Sequence, residues 1–113
     1  MATSIIKNLI QFTPLTSSTW GCIKIPIAKL CVVWSVYPMA SMTYNSSSGG
    51  YEHTLDLSSY GFTGEMQGLV TARYGGGFPR VGIATIGASS ARIMSDVNAS
   101  TGYVHWIVIG AYS

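Results

Sequence analysis

Short hydrophobic runs, some of them alternating with polar residues in the period of a β-strand, make up most of this 113-residue chain beyond its first residues. The alternation is clearest over residues 51–58, where apolar or aromatic positions alternate with polar ones (YEHTLDLS). Other runs rich in β-branched and aromatic residues cover 20–25, 30–37, 66–74, 81–86, 91–95 and 103–109. Short stretches rich in Gly, Ser and Asn separate them. The pattern predicts an all-β chain, a small antiparallel β-sandwich of about six to seven strands.

The first residues follow a different pattern. Ile5, Ile6, Leu9 and Ile10 have the spacing of one apolar helical face over about two turns. Polar residues interrupt this stretch, so we expect no secretory signal. We expect an N-terminal arm or short helix over residues 1–18, suited to docking on a neighbouring subunit, and a β-sandwich domain over residues 19–113. A frayed chain end is the alternative for the arm.

The last run, residues 103–109, is apolar on both faces. Tyr103, His105, Ile107 and Ile109 share one face, and Val104, Trp106 and Val108 share the other. In a monomeric sandwich the outer face of each sheet is normally polar. We therefore predict an oligomer, with interface positions at Tyr103, His105, Trp106, Ile107 and Ile109. A locally hydrophobic outer surface is the alternative.

The low content of charged residues also favours an oligomer. Charged residues make up 9% of the chain, against roughly 25% in a typical soluble domain. Hydrophobic residues make up 48%, so disorder is excluded. The six Lys and Arg residues form no basic stripe, which argues against a nucleic-acid partner. No apolar run approaches the roughly 18 residues of a spanning helix, so we expect no membrane insertion.

The residue types needed for catalysis or metal binding are few. The two Cys and two His residues, at positions 22, 31, 53 and 105, lack the spacing of metal ligands, so we expect no metal and no cofactor. Glu52 and Asp56 share the polar face of one strand about 13 Å apart, too far for the acid and nucleophile of a glycosidase. Because His53 lies on the apolar face of its strand, we interpret it as a structural histidine. We expect no enzyme activity.

Several segments resemble a known family. The segment WGCIKIP at residues 20–26, followed by LCVVWS at residues 30–35, resembles the hairpin that opens many bacteriophage tail-fibre C-terminal domains. The segment YVHWIVIG at residues 103–110 resembles the strand that closes those domains. LDLSSYG at residues 55–61 and ASS at residues 88–90 lie between them in the expected order. The sequence departs from the family at residues 27–29 and at Ser35, where the family has a Gly.

The resemblance implies a homotrimeric fibre tip that meets a host-surface saccharide. It also implies a virion location, in a tail fibre or baseplate, after assembly in the bacterial cytoplasm. The closing strand is similar to that of the H-type lectins, which are trimeric sugar-binding sandwiches, but their sugar-contacting loop residues have no match here. The alternative function is a structural trimerisation or capping domain without a ligand of its own.

A saccharide site requires aromatic rings and a few polar side chains in loops. The first choice is the stretch around the glycine tract at residues 75–77, which we interpret as an exposed hairpin tip. The second choice is the loop at residues 94–100. The predicted ligand-binding residues are Arg73, Tyr74, Phe78 and Arg80 in the first, and Asp96 and Asn98 in the second. For each aromatic residue, packing in the core or at an interface is the alternative.

Two states are open to the cysteines. If Pro26 and Ile27 form a two-residue turn, Cys22 and Cys31 lie directly opposite each other and near enough for a disulfide. A virion protein folds in a reducing cytosol, however, and buried free cysteine is common there. We favour free thiols.

Overall fold

The structure, a computed structural model, describes residues 11–13 and 20–113, with side chains from residue 20 onward. Over these residues the chain forms nine β-strands. They are β1 (Gln11–Thr13), β2 (Gly21–Ile25), β3 (Leu30–Pro38), β4 (Thr43–Asn45), β5 (Gly50–Asp56), β6 (Phe62–Arg73), β7 (Val81–Ile86), β8 (Ser90–Ser95) and β9 (Tyr103–Tyr112). Three short 3-10 turns cover Pro26–Ala28, Met39–Ser41 and Ser58–Tyr60. Among the described residues, no helix has the length and hydropathy needed to cross a bilayer.

The strands form two sheets. The five-stranded sheet has the order β1-β2-β3-β9-β6, and the four-stranded sheet has the order β4-β5-β8-β7. All neighbouring strands are antiparallel. The predicted all-β antiparallel fold is therefore confirmed.

A single hydrophobic core lies between the two sheets. Val33, Val104 and Val108 point into it from the five-stranded sheet, and Leu55 and Ile93 from the four-stranded sheet. Since side chains alternate along a strand, every second residue of these strands faces away from the core. The sequence pattern therefore places two outward faces on opposite sides of the molecule.

The sheets approach each other closely at Gly68 on β6. A Cβ atom at this position would collide with the side chain of Ile83 on β7, and it would lie 3.1 Å from Cδ1 of Ile86. A side chain here would have to displace the ends of the two isoleucine side chains. The absence of a side chain at Gly68 thus leaves room for Ile83 and Ile86 beside β6.

All seven predicted strands are present. The structure has two further strands, β1 and β4, that were not predicted. β4 lies inside residues 41–50, one of the Gly-, Ser- and Asn-rich stretches that separate the predicted strands, and β1 lies in the predicted arm. β1 pairs with β2 at the edge of the five-stranded sheet. The predicted apolar helical face at residues 5–10 lies outside the described part of the chain.

The β2–β3 connection differs from the two-residue turn considered above. Residues 26–29 form the turn, in which Lys29 has φ 51° and donates its N–H to the Pro26 carbonyl at 3.2 Å. Proline favours the first position of such a turn because its φ is already fixed. Ile25 consequently pairs with Leu30, Cys22 with Val33, and Cys31 with Lys24. The cysteines therefore do not lie directly opposite each other, as a two-residue turn would have placed them.

Residues 74–80 are also not a hairpin tip. They connect β6 of the five-stranded sheet to β7 of the four-stranded sheet, so the strands that they join do not pair with each other. The glycine tract therefore crosses from one sheet to the other at the side of the sandwich. This correction matters for the candidate site, because it places the aromatic residues of this loop between two sheet edges.

Candidate functional site

The outward surface of the five-stranded sheet is hydrophobic. Register aligns Trp34, Ile107 and Leu69 in one row across β3, β9 and β6. The adjoining outward positions include Val32, Val36 and Ile109. We call the outward side chains of Val32, Trp34, Val36, Leu69, Ile107 and Ile109 the apolar face. Leu69, at the centre of the apolar face, is 68% exposed. Monomeric soluble proteins rarely expose several adjoining hydrophobic side chains in this way.

A concavity of about 700 Å³ opens on the apolar face. Trp34, Leu69 and Ile107 line it, and Arg73 and His105 lie at its polar end. The guanidinium carbon of Arg73 lies 4.6 Å from the ring centroid of Tyr103, a cation–π contact. No carboxylate lines this concavity. The surface is thus suited to an apolar partner.

The five predicted interface residues are divided between the two faces of β9. Tyr103, His105, Ile107 and Ile109 point outward, whereas Trp106 lies on the inner face with Val104 and Val108. Trp106 is 9% exposed and packs in the core. Its burial explains why the closing strand is hydrophobic on both faces: the even-numbered residues form the core, and the odd-numbered residues form the outer surface.

The outward surface of the four-stranded sheet is polar instead. We call the outward side chains of Glu52, Thr54, Asp56 and Arg92 the polar face. Asn45 and Ser48 hydrogen-bond to the Glu52 carboxylate and lower its pKa, and Arg92 nearby acts in the same direction. The Asp56 carboxylate accepts hydrogen bonds from the Ser58 hydroxyl at 2.6 Å and from the Ser58 N–H at 3.0 Å, which lower its pKa.

The connection at residues 74–80 carries the first part of the predicted ligand site. Tyr74, Phe78 and Arg80 line one concavity of about 660 Å³, together with residues of β6 and β7. The Phe78 side chain is fully exposed. Gly76 lies directly under the ring of Tyr74, where a Cβ would collide with it. This loop therefore presents one partly buried aromatic ring and one fully exposed aromatic ring beside a cation.

Asp96 meets Arg80 although the two were predicted in separate loops. The Asp96 carboxylate accepts the backbone N–H of Arg80 at 2.9 Å and lies 3.4 Å from its Nε. The backbone N–H of Asp96 donates to the Arg80 carbonyl at 3.0 Å. The Arg80 side chain is 90% exposed, so its terminal nitrogens stay available to a ligand. The two predicted loops thus form one surface through this pair.

The remaining predicted ligand residues lie elsewhere or apart. Arg73 lines the concavity on the apolar face rather than the one with Phe78. Asn98 is exposed in the connection between β8 and β9 and lines neither concavity. The structure therefore brings together Tyr74, Phe78, Arg80 and Asp96, and separates Arg73 and Asn98 from them.

A second polar concavity, of about 450 Å³, was not predicted. It lies on the β4–β5 hairpin and is lined by Thr43, Tyr44, Asn45, Ser46, Glu52, His53 and Thr54. Alternation along residues 51–58 had placed Glu52 and Thr54 outward, which was a partial signal. The missing part was β4, since only its pairing with β5 brings Asn45 beside Glu52.

His53 and the cysteines lie on the inner side. The His53 ring stacks on Tyr37 with centroids 3.6 Å apart, and burial lowers its pKa. Cys22 and Cys31 are buried free thiols with their Sγ atoms 4.0 Å apart. Burial, with Cys22 nearby, raises the pKa of Cys31 to about 12. Within residues 20–113, no three His, Cys, Asp or Glu side chains are grouped as metal ligands would be.

Comparison of the chain with protein-family models, with curated proteins and with solved structures finds no match. The fold and the surfaces therefore define the class of molecule by themselves. It is an antiparallel two-sheet all-β domain with one hydrophobic outer face, one polar outer face and an aromatic, charged loop surface.

Proposed function

We propose that this chain is a homotrimeric receptor-binding domain at the tip of a bacteriophage tail fibre, and that it holds a host-surface saccharide in its loops. The observation that carries the proposal is the pairing of an apolar outer face with exposed loop aromatics in a chain that has few charges. The apolar face supplies a subunit contact, and the loops supply a ligand contact.

The subunit contact is supported by the size and continuity of the apolar face. Trp34, Leu69 and Ile107 form an unbroken row across three strands. Antiparallel sheets that face water carry polar residues on that side, as the polar face does here. Contiguous exposed hydrophobic residues are typical of association surfaces. A subunit packed on this face would remove Leu69 from water.

The saccharide contact is supported by the loop surface of Phe78, Arg80 and Asp96. A sugar ring has a C–H face that packs on an aromatic ring, and hydroxyls that both donate and accept hydrogen bonds. Phe78 supplies a fully exposed ring, Arg80 supplies N–H donors, and Asp96 supplies an acceptor. Few polar groups beside an apolar surface are the usual composition of a ligand site.

The tail-fibre assignment rests on the resemblance of the opening hairpin and the closing strand. The two motifs occupy β2–β3 and β9, and β3 pairs with β9 along its whole length. Segments at the two ends of the domain thus meet in the centre of one sheet. Pairing in the centre of a sheet is expected of motifs that determine the fold, and not of motifs that lie only on its surface.

Binding to a glycan array tests the function. The trimer is applied as wild type and as Phe78→Ala, with Ile27→Ala as the matched control, because Ile27 is also strongly exposed but lies in the β2–β3 turn. We expect saturable binding that Phe78→Ala weakens at least tenfold, equivalent to about 1.4 kcal/mol, and that Ile27→Ala leaves unchanged.

A structural trimerisation or capping domain is the second candidate, favoured by the apolar face alone. It predicts a stable trimer and no glycan signal for any variant. A wild-type chain that sediments as a monomer at micromolar concentration would contradict both candidates.

A further inference from the structure

Arg80 lies between two concavities at the end of the four-stranded sheet. One is the concavity of about 660 Å³ that Phe78 also lines, which we call the Phe78 concavity. The other has about 270 Å³ and extends over β7 and β8, and we call it the β7–β8 concavity. The Arg80 side chain is 90% exposed, and only its Nε lies against the Asp96 carboxylate. Since a guanidinium has five N–H donors, Arg80 can donate to a ligand in either concavity.

The β7–β8 concavity lies on the outward side of the four-stranded sheet. Ser95 is buried on the inner side of β8, so its neighbours Met94 and Asp96 face outward. Gly82 lies opposite Met94 in register and faces outward as well. Arg80 lines the same concavity and is joined to Asp96 by two hydrogen bonds of its backbone. A half-buried thioether, a carboxylate and a guanidinium therefore surround an open position at Gly82.

The packing of the described residues does not require glycine at position 82. Within that part of the chain nothing lies within 4 Å of a Cβ built there, and the φ of Gly82 is not positive. Gly68 differs, because a Cβ there would collide with Ile83. Glycine weakens a strand and often marks a place where a ligand approaches the backbone closely. The open position at Gly82 thus leaves the backbone of β7 accessible beside Arg80.

We propose that the β7–β8 concavity is a second sugar subsite, so that the ligand is an oligosaccharide of at least two residues that crosses Arg80. One sugar residue packs on Phe78, and the next lies over Gly82 against the Met94 thioether. Arg80 donates to hydroxyls of both sugar residues, and Asp96 accepts from a hydroxyl of the second.

The distance between the two subsites suits such a ligand. An extended chain advances about 3.3–3.6 Å per residue, so the Cα atoms of Phe78 and Gly82 are at most about 14 Å apart. Two or three linked sugar residues span this distance. The ligand class rests on the proposed function, whereas the length of the ligand follows from the position of Arg80 between the two concavities.

The first test is an NMR titration of the ¹⁵N-labelled full chain with paired sugars of different length. The probes are methyl β-D-galactoside with methyl β-lactoside, and methyl β-D-glucoside with methyl β-cellobioside. We expect at least one disaccharide to bind with millimolar or tighter affinity, and at least tenfold more tightly than the monosaccharide of its pair. Both members of that pair shift the amide signals of Phe78 and Arg80, and only the disaccharide shifts those of Gly82 and Met94. This map needs no variant.

The second test fills the β7–β8 concavity with a side chain. Because Gly82→Val places its side chain in open space, we expect the variant to fold. The disaccharide then loses its advantage over the monosaccharide, and the affinity for the monosaccharide stays unchanged. Gly64→Val is the matched control, since a Cβ at Gly64 also has nothing within 4 Å of it but lies on β6 of the other sheet. We expect it to leave both affinities unchanged.

The outcomes separate the subsite from the proposed function. Equal affinity for both members of every pair overturns the subsite and leaves the saccharide function standing, as does a disaccharide advantage that survives in Gly82→Val. If no probe binds saturably while the array keeps a signal that Phe78→Ala removes, the subsite is again overturned and the function stands. If neither the array nor the titration gives saturable binding, both are overturned.

Discussion

The two outer faces of the sandwich are built alike and carry opposite chemistry. Each belongs to an antiparallel sheet whose inner side chains share one core, and each shows every second residue to the outside. On β9 the outward residues include Ile107 and Ile109, whereas on β5 they are Glu52, Thr54 and Asp56. None of the ten charged residues of the chain belongs to the apolar face, whereas three of them belong to the polar face.

Hydrophobic residues of one strand therefore have two different roles, depending on the face on which they lie. Val108 is fully buried and stabilises the folded chain, while Ile107 beside it stabilises an assembly if the apolar face is covered. The same side-chain type thus has a different role at odd and even positions. Stability measurements and association measurements distinguish the two roles.

The largest expected effect comes from placing a charge on the apolar face. Leu69→Asp introduces an unpaired carboxylate at a position that is 68% exposed in the single chain, so the fold itself is little affected. In the assembly this charge would be desolvated, and we expect the subunit dissociation constant to rise at least 100-fold, about 3 kcal/mol. Sedimentation velocity over a range of micromolar concentrations measures it.

Thr54→Asp is the matched control, since it places the same side chain on the polar face. We expect it to leave the sedimentation profile unchanged. Equal dissociation of both variants, or of neither, would mean that the two outer faces do not differ in function.

A smaller effect is expected where the sheets approach each other. Gly68→Val places side-chain atoms in the space that the ends of the Ile83 and Ile86 side chains occupy, and overpacking of this kind costs about 1–3 kcal/mol in the free energy of unfolding. Gly64→Val on the same strand is the control, because nothing lies within 4 Å of a Cβ there. Urea denaturation at matched protein concentration measures both. Equal stability of the two variants would disprove the close packing of the sheets at β6 and β7.

The smallest expected effect is the pH dependence of stability that comes from titratable groups on the two sides of the four-stranded sheet. Burial lowers the pKa of His53 below its usual 6.5, so the unfolded chain binds more protons as the pH falls through that value. Stability is therefore full above about pH 7 and decreases toward pH 5. The lowered pKa values of Glu52 and Asp56 make their contribution disappear only below about pH 4.5.

His53→Phe keeps an aromatic ring against Tyr37 and should flatten the free energy of unfolding between pH 7 and pH 5. Glu52→Gln should leave that part of the profile unchanged and reduce the loss at lower pH. Denaturation midpoints measured at half-unit pH intervals are the readout. A slope between pH 7 and pH 5 that survives in His53→Phe would assign the dependence to another group.

The sequence pattern predicted most of the fold because strand alternation is a local property. Seven of the strands were found from alternation, from runs of β-branched and aromatic residues, and from the turn residues between them. β4 was missed because it has only three residues between Ser- and Gly-rich stretches, and its strand character comes from pairing with β5. Pairing partners are tertiary information, which no local window contains.

The length of the β2–β3 turn was the second feature that the sequence pattern did not predict. A two-residue turn centred on Pro26 and Ile27 was considered, whereas Pro26 starts a 3-10 turn that ends at Lys29 with positive φ. Two extra residues move Cys31 from opposite Cys22 to opposite Lys24. A small error in a loop therefore changes every cross-strand partner of the hairpin while leaving both strands correctly placed.

The types of residue in the candidate sites could be predicted from the sequence. Which of these residues lie together could not. Arg80 and Asp96 were both chosen from the sequence, but their contact joins loops that are 16 residues apart. Asn45 and Glu52 meet only because β4 exists. Conversely, Arg73 is adjacent to Tyr74 in sequence and lines a different concavity, because β6 ends at Arg73 and Tyr74 begins the connection to the other sheet.

The core thiols have a consequence for the kinetics of the fold. Disulfide reagents react with the thiolate form of cysteine, and with its pKa at about 12 Cys31 has almost none of it at neutral pH. Cys22 is buried beside it. Labelling of either sulfur therefore waits until β2 and β3 separate from the opposite sheet. The rate of labelling reports how readily the strands open, so the native chain carries its own reporter of the accessibility of its interior.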